Sequence, residues 1–278
     1  MAGMKPFLKW AGNKFQIVER IKAVLPPGKR LIEPFVGSGA VFLNTDYPLY
    51  LLADANADLI NLYQQLQAGG QEFIDYCRTF FVADNNQAER YYELRHQFNG
   101  TRDPVEKAAL FVYLNKHCYN GLCRYNAKGG FNVPFGRYMK PYFPEKEMYN
   151  FYVKSAQATF VSADFASMMR SATSGDIIYC DPPYVPLSQT AKFTSYSPQK
   201  FAIEEQKQLA RLAAELANRG VPVVISNHYT DSTSQWYRDA AVVTLEVQRY
   251  ISRNGSNRVK VAEILAKFEF GEPAPEIE

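Results

Sequence analysis

The chain has 278 residues, of which 47% are hydrophobic, enough for one large α/β domain or one domain carrying an insert. No apolar run approaches the roughly 18 residues of a membrane span, and the N-terminus "MAGMKPFLKWAGNK" lacks a signal-peptide core, so we expect a cytoplasmic protein outside membranes. The cysteines (Cys77, Cys118, Cys123 and Cys180) form neither a CxxC pair nor a disulfide framework, which argues against a structural zinc site. The net charge of +3 does not by itself indicate a partner.

Strand-like runs alternate with helical stretches along the chain, which predicts a mostly parallel sheet. In chain order the strands are "RLIEPF", "LYLLAD", "ATFVSA", "DIIYC" and "VPVVIS". A helix after "LYLLAD" has an apolar face made of Leu59, Leu62, Tyr63 and Leu66. A helix before "VPVVIS" has a face made of Leu209, Leu212, Ala213 and Leu216, and it ends at Gly220. The final runs, "AVVTLEVQRY" and "VAEILAKFEF", predict an antiparallel pair at one edge.

Only helices are predicted from about Gln71 to Lys116. One of them begins with Asp103 as the N-cap, Pro104 at the first helical position and Glu106 closing a capping box. The sheet is therefore interrupted by an insert. We expect an α/β fold with a Rossmann-like, doubly wound sheet built from residues 1–56 and 146–278, and a helical insert with a β-hairpin at residues 57–145.

The first strand leads into the glycine-rich turn "EPFVGSGAVFLN". Gly37 and Gly39 let the backbone approach a ligand where a helix begins, although position 42 is Phe, so the motif is not GxGxxG. An ordinary tight turn is an equal alternative for these glycines by themselves. Asp54 closes the second strand, about twenty residues after Glu33, where an acid can bind ribose hydroxyls. Since the loop has neither a GK[ST] motif nor a basic residue, it suits a ligand with a ribose and no phosphates.

The sequence "YCDPPY" at 179–184 occupies the end of a predicted strand. In a doubly wound sheet, ligands bind beyond the carboxyl ends of the strands. Two prolines fix φ near about −65° and remove two N–H donors, so a carbonyl of Asp181 or Pro182 can point outward in a rigid frame. Together with the Asp181 carboxylate and the Tyr184 ring, that carbonyl suits a flat ring bearing an exocyclic amine. The alternative, a loop merely stiffened by proline, is disfavoured because the glycine turn and Asp54 accompany the motif.

No Asp or Glu occurs between Lys107 and Pro144, although 28 of the 278 residues are acidic. Basic and aromatic residues are interleaved there: Lys107, Lys116, Arg124, Lys128, Arg137 and Lys140 with Tyr119, Tyr125, Phe131, Phe135, Tyr138 and Tyr142. Such a surface suits phosphate contact together with base recognition or stacking, and a turn at Gly129 and Gly130 can form a hairpin that enters a groove. We favour DNA contact for Arg124 and Tyr119. The alternative is a hairpin whose aromatic residues pack on the sheet.

Nearly the whole chain resembles the DNA adenine-N6 methyltransferases of the Dam type, which use S-adenosylmethionine and no metal. "FLKWAGNK" at residues 7–14 resembles the N-terminal cofactor motif of that family, "EPFVGSGAV" its glycine loop and "DPPY" its catalytic motif. The tract 119–138 resembles its DNA-recognition hairpin. The family usually has glycine where Asn13 stands. Because Asn tolerates left-handed backbone better than most residues, we expect this turn to persist.

The resemblance implies roles for individual residues. Expected cofactor contacts are Trp10, Lys14, Gly37, Gly39, Asp54 and Asp181, with Phe35 and Phe165 as walls of the adenine pocket. Expected contacts to a GATC site in double-stranded DNA are Lys9, Asn120, Leu122, Arg124 and Pro134, with Tyr119 inserted into the base stack. Arg137 and Tyr138 complete the predicted DNA-binding set. Arg249, Arg253, Arg258 and Lys260 are further candidates for phosphate contacts, and a solvated loop is nearly as good an interpretation of them.

The mechanism that the resemblance implies places the flipped adenine against Tyr184, with the Asp181 carboxylate and the Pro182 carbonyl accepting its two N6 hydrogens. Residues 1–56 and 146–278 would then be the catalytic domain and 57–145 the target-recognition domain of a bacterial, DNA-associated enzyme without an obligate protein partner. Two alternatives remain open at this point. One is a glutamine-N5 protein methyltransferase, although such enzymes typically carry Asn-Pro-Pro-Tyr. The other is a catalytically silent DNA-binding protein on the same fold.

Overall fold

The computed structural model describes residues 3–185, 201–249 and 259–269. Its strands are β1 (Arg30–Glu33), β2 (Leu49–Asp54), β3 (Ala158–Ser162), β4 (Asp176–Cys180), β5 (Val223–His228), β6 (Ala241–Arg249) and β7 (Val259–Phe268). Within the described residues they form one sheet in the order β3-β2-β1-β4-β5-β7-β6. The first five strands in this order are parallel to one another, and β7 is antiparallel to both β5 and β6. The predicted doubly wound α/β sheet and its antiparallel edge pair are confirmed.

The helices lie between these strands. They are α1 (Val18–Val24), α2 (Ala40–Asn44), α3 (Ala57–Arg78), α4 (Ala88–Gly100), α5 (Pro104–His117), α6 (Glu145–Ser155), α7 (Phe165–Arg170), α8 (Ile203–Asn218) and α9 (Asp231–Trp236). The segment between β2 and β3 contains α3 to α6 and is helical from Gln71 to Lys116 apart from short connections, as predicted.

Alternate residues of the central strand β4 enter two different hydrophobic cores. Ile177 and Tyr179 pack in the core that includes α3, α5 and α6, whereas Ile178 and Cys180 pack in the core that includes α7 and α8. This period of two is expected when both faces of a sheet are covered by helices. The sheet therefore forms the middle layer of three, with its strand ends left to form a site.

Helix α3 connects the sheet to the segment that follows β2. Gln64 and Gln67 donate side-chain hydrogen bonds of 2.9 and 2.8 Å to carbonyls of β3. At Gly70 the backbone leaves helical geometry (φ 49°, ψ −127°), and an added Cβ would lie 2.7 Å from the ring of Tyr152. The first half of α3 thus packs on the sheet. The limits of an inserted domain at residues 57 and 145 stay a prediction.

The start of α5 agrees with its sequence signals except for one residue. The Asp103 carboxylate accepts hydrogen bonds from the N–H groups of Val105 and Glu106, and Pro104 is the first helical residue. The predicted capping box is wrong: the Asp103 N–H donates to Thr101 Oγ1 at 3.2 Å, and Glu106 accepts a 2.7 Å bond from Gln97. The nearby hydroxyl of Thr101 takes the place that the Glu106 carboxylate was expected to fill.

The left-handed backbone of Gly220, just after α8, predicts how a substitution there changes stability. Gly220 has φ +76°, and an added Cβ would meet nothing within 4 Å. The Gly220→Ala variant should therefore lose about 1–2 kcal/mol of unfolding free energy through left-handed strain alone. The matched control is Gly100→Ala, because Gly100 also has open space around it but lies within α4 with an ordinary φ. Urea denaturation should show that control unchanged or stabilised; equal losses in both variants would contradict the explanation.

Candidate active site

The parallel strands bring the predicted site segments to one edge of the sheet. The glycine turn follows β1, Asp54 ends β2, and Asp181 follows β4. From the adjacent strands β1 and β4 the chain proceeds in opposite directions across the sheet, to β2 on one side and to β5 on the other. Such a change of direction leaves a crevice at the carboxyl ends, which is where ligands bind in open α/β sheets.

Asp54 is held in place by the glycine turn. Its Oδ2 accepts a 3.1 Å bond from the Gly37 N–H, and its Oδ1 accepts a 2.9 Å bond from the Asn56 N–H. Burial raises the pKa of Asp54, and the bonds from Asn56 and Gly37 oppose that shift. Gly37 and Gly39 have φ +48° and +72°, and a Cβ on Gly37 would lie 2.9 Å from Trp10 Nε1. The structure therefore brings Trp10, Gly37 and Asp54 together and requires glycine between them.

The turn before Lys14 differs from expectation in one respect. The left-handed residue is Gly12, at φ +77°, whereas Asn13 has φ −49°. The Asn13 side chain accepts a 2.8 Å bond from the Phe15 N–H and caps the 3-10 turn Lys14–Ile17. Asn13 thus fits this position because its side chain caps the 3-10 turn. The expected left-handed backbone at Asn13 is not present.

Three phenylalanine rings meet beside the glycine turn. Phe35 and Phe165 are stacked on each other with centroids 5.6 Å apart, so a flat ligand would have to contact the pair from outside. Phe201 lies edge-on to both, at 5.5 and 5.3 Å. The sequence analysis missed Phe201, because a single aromatic residue just before a helix gives no pattern that separates it from a core residue.

In the part of the chain that the structure describes, the Asp181 carboxylate is bound by two side chains at the same oxygen. The Lys14 ammonium lies 2.8 Å from Oδ1, and the Ser226 hydroxyl donates to the same Oδ1 at 3.0 Å. Burial raises the pKa of Asp181, while Lys14 and the Ser226 hydrogen bond oppose the shift. The Lys14 ammonium also lies 4.6 Å from the centroid of the Tyr184 ring. Lys14, predicted as a cofactor contact, thus joins Asp181 and Tyr184.

The Tyr184 ring is oriented by one residue of β5 and one residue of β7. Its hydroxyl donates to Glu263 Oε2 at 3.0 Å, and its ring is perpendicular to that of His228 with centroids 4.8 Å apart. Glu263 is a buried residue of β7, paired in register with His228 of β5. Sequence reasoning missed both, because an acid inside the apolar run "VAEILAKF" is recognisable only once its neighbours are known.

Two buried amides anchor the loop that carries Asp181 and Tyr184. Gln206 Nε2 donates to the Pro183 carbonyl at 2.7 Å, and Gln206 Oε1 accepts a 3.0 Å bond from Asn227. Asn227 Oδ1 in turn accepts from the Val185 N–H at 3.3 Å. Pro182 is buried, whereas Pro183 is exposed. The only sequence signal for this network was the polar "SNH" at the end of an apolar strand.

Glu33, at the end of β1, is a second buried carboxyl group. Its side chain is 2% exposed, and Oε1 has no hydrogen-bond partner within the described ranges. Burial, followed by the charge of Asp181, raises the pKa of Glu33 well above its usual range, which favours the neutral acid. The site edge therefore has two buried carboxyl groups with raised pKa, and Asp181 is the one that is paired with Lys14.

The tract 118–135 forms a short hairpin. Backbone bridges pair Cys118 with Phe135 and Tyr125 with Phe131 in antiparallel fashion. The Asn126 side chain closes the turn by accepting from the N–H groups of Lys128 and Gly130, at 2.9 and 3.0 Å. The Arg124 guanidinium is held by Asn132 through Nε at 2.7 Å and a second bond to the Asn132 carbonyl at 3.1 Å.

The N-terminal segment meets the base of this hairpin. Lys9 Nζ lies 4.0 Å from the centroid of Tyr138, whose hydroxyl accepts a 3.0 Å bond from the Asn120 N–H. The buried Asn115 side chain bonds both the N–H and the carbonyl of Lys9, at 2.9 and 2.8 Å. Lys9, Asn120 and Tyr138 are thus brought together, and Asn115 is the residue that sequence reasoning missed.

Burial divides the basic and aromatic residues of the insert. Tyr119, Asn120, Pro134 and Arg137 are exposed, and Tyr119 is 42% exposed. Phe131 packs in the core, as the structural alternative anticipated for some of the aromatic residues, whereas Leu122, a predicted DNA contact, is half-buried against the core. Lys116 is only 7% exposed, and burial followed by the nearby Lys9 lowers its pKa to about 8. Lys116 is therefore not part of the exposed cationic surface.

Some predictions concern side chains that the structure does not describe. The four candidates for phosphate contacts near the last turn, Arg249, Arg253, Arg258 and Lys260, lie outside the described side chains. Residues 3–185, 201–249 and 259–269 contain no cluster of three metal-ligating side chains. In the same ranges, none of the helices combines the length and the apolar character needed to span a bilayer.

Comparison with known proteins decides between the remaining interpretations. The family model of the D12 class N6 adenine-specific DNA methyltransferase matches residues 10–251. The chain belongs to this family. Among curated relatives, the DNA adenine methylase of Serratia marcescens is 52% identical over 265 residues, covering 95% of this chain and 98% of that protein. The DNA adenine methylase of Escherichia coli K12 is 49% identical over 271 residues, 98% of each chain.

A solved structure of an rRNA methyltransferase, aviRa from Streptomyces viridochromogenes, aligns over 94% of this chain and 89% of its own, with TM-score 0.38 and 10% identity. A similarity this low supports no argument. The family assignment confirms the predicted enzyme class, an adenine-specific DNA methyltransferase. It decides against both the glutamine-N5 protein methyltransferase and the catalytically silent DNA-binding protein.

The amide network predicts a role for Gln206 in this methyltransferase. The Gln206→Leu variant removes the donor to the Pro183 carbonyl and one of the two acceptors of Asn227 Nδ2, which keeps its bond to the Tyr237 hydroxyl. This loss should cost about 1–3 kcal/mol of unfolding free energy. Because the anchored loop carries Asp181 and Tyr184, kcat should fall as well. Gln208→Leu, on the same helix but half-buried, is the matched control and should change neither quantity. Thermal unfolding and initial methylation rates measure both; wild-type behaviour of Gln206→Leu would exclude the anchoring role.

Proposed function

We propose that this DNA adenine methyltransferase takes its methyl group from S-adenosylmethionine and modifies adenine in GATC sites of double-stranded DNA, after rotating the adenine out of the duplex. The observation that carries the proposal is the asymmetric binding of Asp181. Lys14 and Ser226 both engage Oδ1, so Oδ2 is the oxygen that can accept a hydrogen from the N6 amine. The ion pair with Lys14 opposes the rise in the pKa of Asp181 that burial causes, and so favours the charged carboxylate.

The residues around the glycine turn suit S-adenosylmethionine. The Asp54 oxygens each accept one backbone hydrogen bond, and an ionised carboxylate has further acceptor capacity for ribose hydroxyls. Phe35 and Phe165 supply apolar rings for an adenine, and the glycines allow close backbone approach. When bound, the cofactor supplies an electrophilic methyl group on a sulfonium. The chain contributes orientation and exclusion of water at this end of the site.

Catalysis by the chain's own residues is positioning and electrostatic stabilisation. Asp181 Oδ2 and the Pro182 carbonyl accept the two N6 hydrogens, and these bonds draw the nitrogen lone pair out of conjugation with the ring. Tyr184, oriented by Glu263 and His228, offers its ring for stacking on the flipped base. Flipping costs roughly a few kcal/mol, which stacking and the two hydrogen bonds offset.

Recognition of the sequence is assigned to the hairpin and the N-terminal segment. Exposed Tyr119 is suited to insertion into the base stack, and Arg124 has its direction set by Asn132. An arginine in the major groove can bond guanine O6 and N7 together. Lys9, Asn120, Leu122 and Pro134 are the remaining proposed base contacts, with Arg137 and Tyr138 beside them.

The proposal is tested on plasmid DNA isolated from a host without adenine methylation. After incubation with the protein and S-adenosylmethionine, the plasmid should resist a GATC nuclease that N6-methyladenine blocks and be cut by one that requires it. The Asp181→Ala variant should be at least about tenfold slower through loss of the acceptor that positions the amine. Methylation at other sites only would contradict the GATC assignment, and a variant rate near wild type would remove Asp181 from the mechanism.

Arg124→Ala separates base recognition from phosphate binding. If Arg124 bonds a guanine, the variant should lose about 1–3 kcal/mol of discrimination at that one base pair and stay selective at the others. Initial methylation rates on GATC and its single-base variants measure this. The matched control is Lys128→Ala in the exposed turn of the same hairpin, which should slow all sequences alike. A uniform decrease with Arg124→Ala would mean that Arg124 binds the backbone.

A further inference from the structure

The recognition hairpin touches the start of α3, two residues beyond the carboxylate assigned to the cofactor. Asn56 links the two regions. Its backbone N–H donates to Asp54 Oδ1 at 2.9 Å, and its Nδ2 donates to Cys123 Sγ in the hairpin at 3.4 Å. The backbone of Asn56 is therefore bonded to Asp54, the proposed cofactor contact, and its side chain is bonded to the hairpin.

Asn56 is also the N-cap of α3, which limits how it can move. Its Oδ1 accepts bonds from the N–H groups of Asp58 and Leu59, at 3.1 and 3.2 Å. A capping side chain fixes the geometry of the first helical turn, so a shift of Asp54 and Asn56 must move the start of α3 with it. The cap thereby joins Asp54 rigidly to Asp58.

Tyr125 forms the second contact between the hairpin and this helix start. Its hydroxyl donates to Asp58 Oδ2 at 2.8 Å and lies 3.4 Å from Asn56 Oδ1. Burial, with Cys123 and Asp58 nearby, raises the pKa of Tyr125, so its hydroxyl remains a donor. Tyr125 follows Arg124 directly in sequence and is paired with Phe131 across the hairpin. A shift of Asp58 therefore acts on the strand that carries Arg124.

We propose that Asn56 and Tyr125 are positioning residues that couple the cofactor site to the recognition hairpin, so that a bound cofactor tightens the binding of GATC DNA. The inference rests on the proposed function, in which Asp54 binds the cofactor and the hairpin binds DNA. When ribose hydroxyls bind Asp54, the cap at Asn56 and the Tyr125–Asp58 hydrogen bond transmit its position to Arg124. Coupling of this kind is reciprocal: DNA must tighten cofactor binding by the same factor.

The experiment measures four affinities for the wild type and for Tyr125→Phe. Binding of a GATC duplex is measured with and without S-adenosylhomocysteine, and binding of S-adenosylhomocysteine is measured with and without the duplex. In the wild type each ligand should tighten the other by at least about fivefold. In Tyr125→Phe this factor should fall below about twofold, while each ligand alone binds within about threefold of wild type.

Tyr91→Phe is the matched control. The Tyr91 hydroxyl also donates to the hairpin, at the Val133 carbonyl over 2.8 Å, but it contacts neither Asn56 nor Asp58. It should retain the full coupling factor. Asp58→Ala removes the acceptor of the same bond and should lose coupling like Tyr125→Phe, and the double variant should lose no more than either single variant.

The outcomes separate the inference from the function on which it rests. A wild type that binds neither S-adenosylhomocysteine nor the duplex would overturn the proposed function and the inference with it. A wild type that binds both without coupling would overturn the inference alone, as would a Tyr125→Phe variant with the full factor. Equal losses in Tyr91→Phe and Tyr125→Phe would also overturn it, because loosening of the hairpin would then explain both.

Discussion

The ion pair between Lys14 and Asp181 is the interaction on which the site depends. It opposes the rise in the pKa of Asp181 that burial causes, and it occupies one carboxylate oxygen so that the other keeps a defined direction. It also attaches the N-terminal segment to the catalytic loop. That segment carries Lys9 against Tyr138 and Trp10 against Gly37, so a stretch of six residues contacts the hairpin, the glycine turn and the loop of Asp181. If these regions have the roles proposed above, displacing Lys14 should disturb all three together.

Much of the fold was predictable because the sequence patterns coincide with strong local constraints. A strand covered on both faces is largely apolar, and the runs "DIIYC" and "LYLLAD" are β4 and β2 to the residue. The doubly wound order follows from parallel strands joined by helices. The expected capping box of α5 failed for a local reason: Thr101 precedes Asp103 and supplies an oxygen that competes with Glu106. Sequence spacing alone does not tell which of the two oxygens, that of Thr101 or that of Glu106, accepts the hydrogen bond from the Asp103 N–H.

The site was predictable where a residue type is chemically unusual for its position, and not elsewhere. A carboxylate followed by two prolines, or glycines at a strand end, has few structural explanations. Gln206, Asn227 and Glu263 are ordinary residues within otherwise regular elements. Their function arises from contacts across 20 to 80 positions of sequence, such as the 79 that separate Tyr184 from Glu263. Helical spacing places Gln206 on the same face as Leu209 and Ala213, but it gave no sign of which polar groups the buried amide would bond.

The position of β7 within the sheet has a consequence for how the enzyme is made. This strand is the last described element, yet it lies between β5 and β6 in the sheet. Its Glu263 accepts a hydrogen bond from the Tyr184 hydroxyl. During synthesis, the earlier strands emerge from the ribosome first and can pair while β7 is still missing. The bond between Tyr184 and Glu263 cannot form until β7 has paired with β5. The arrangement of residues around Tyr184 therefore depends on a long-range pairing that only a fully synthesised sheet can make.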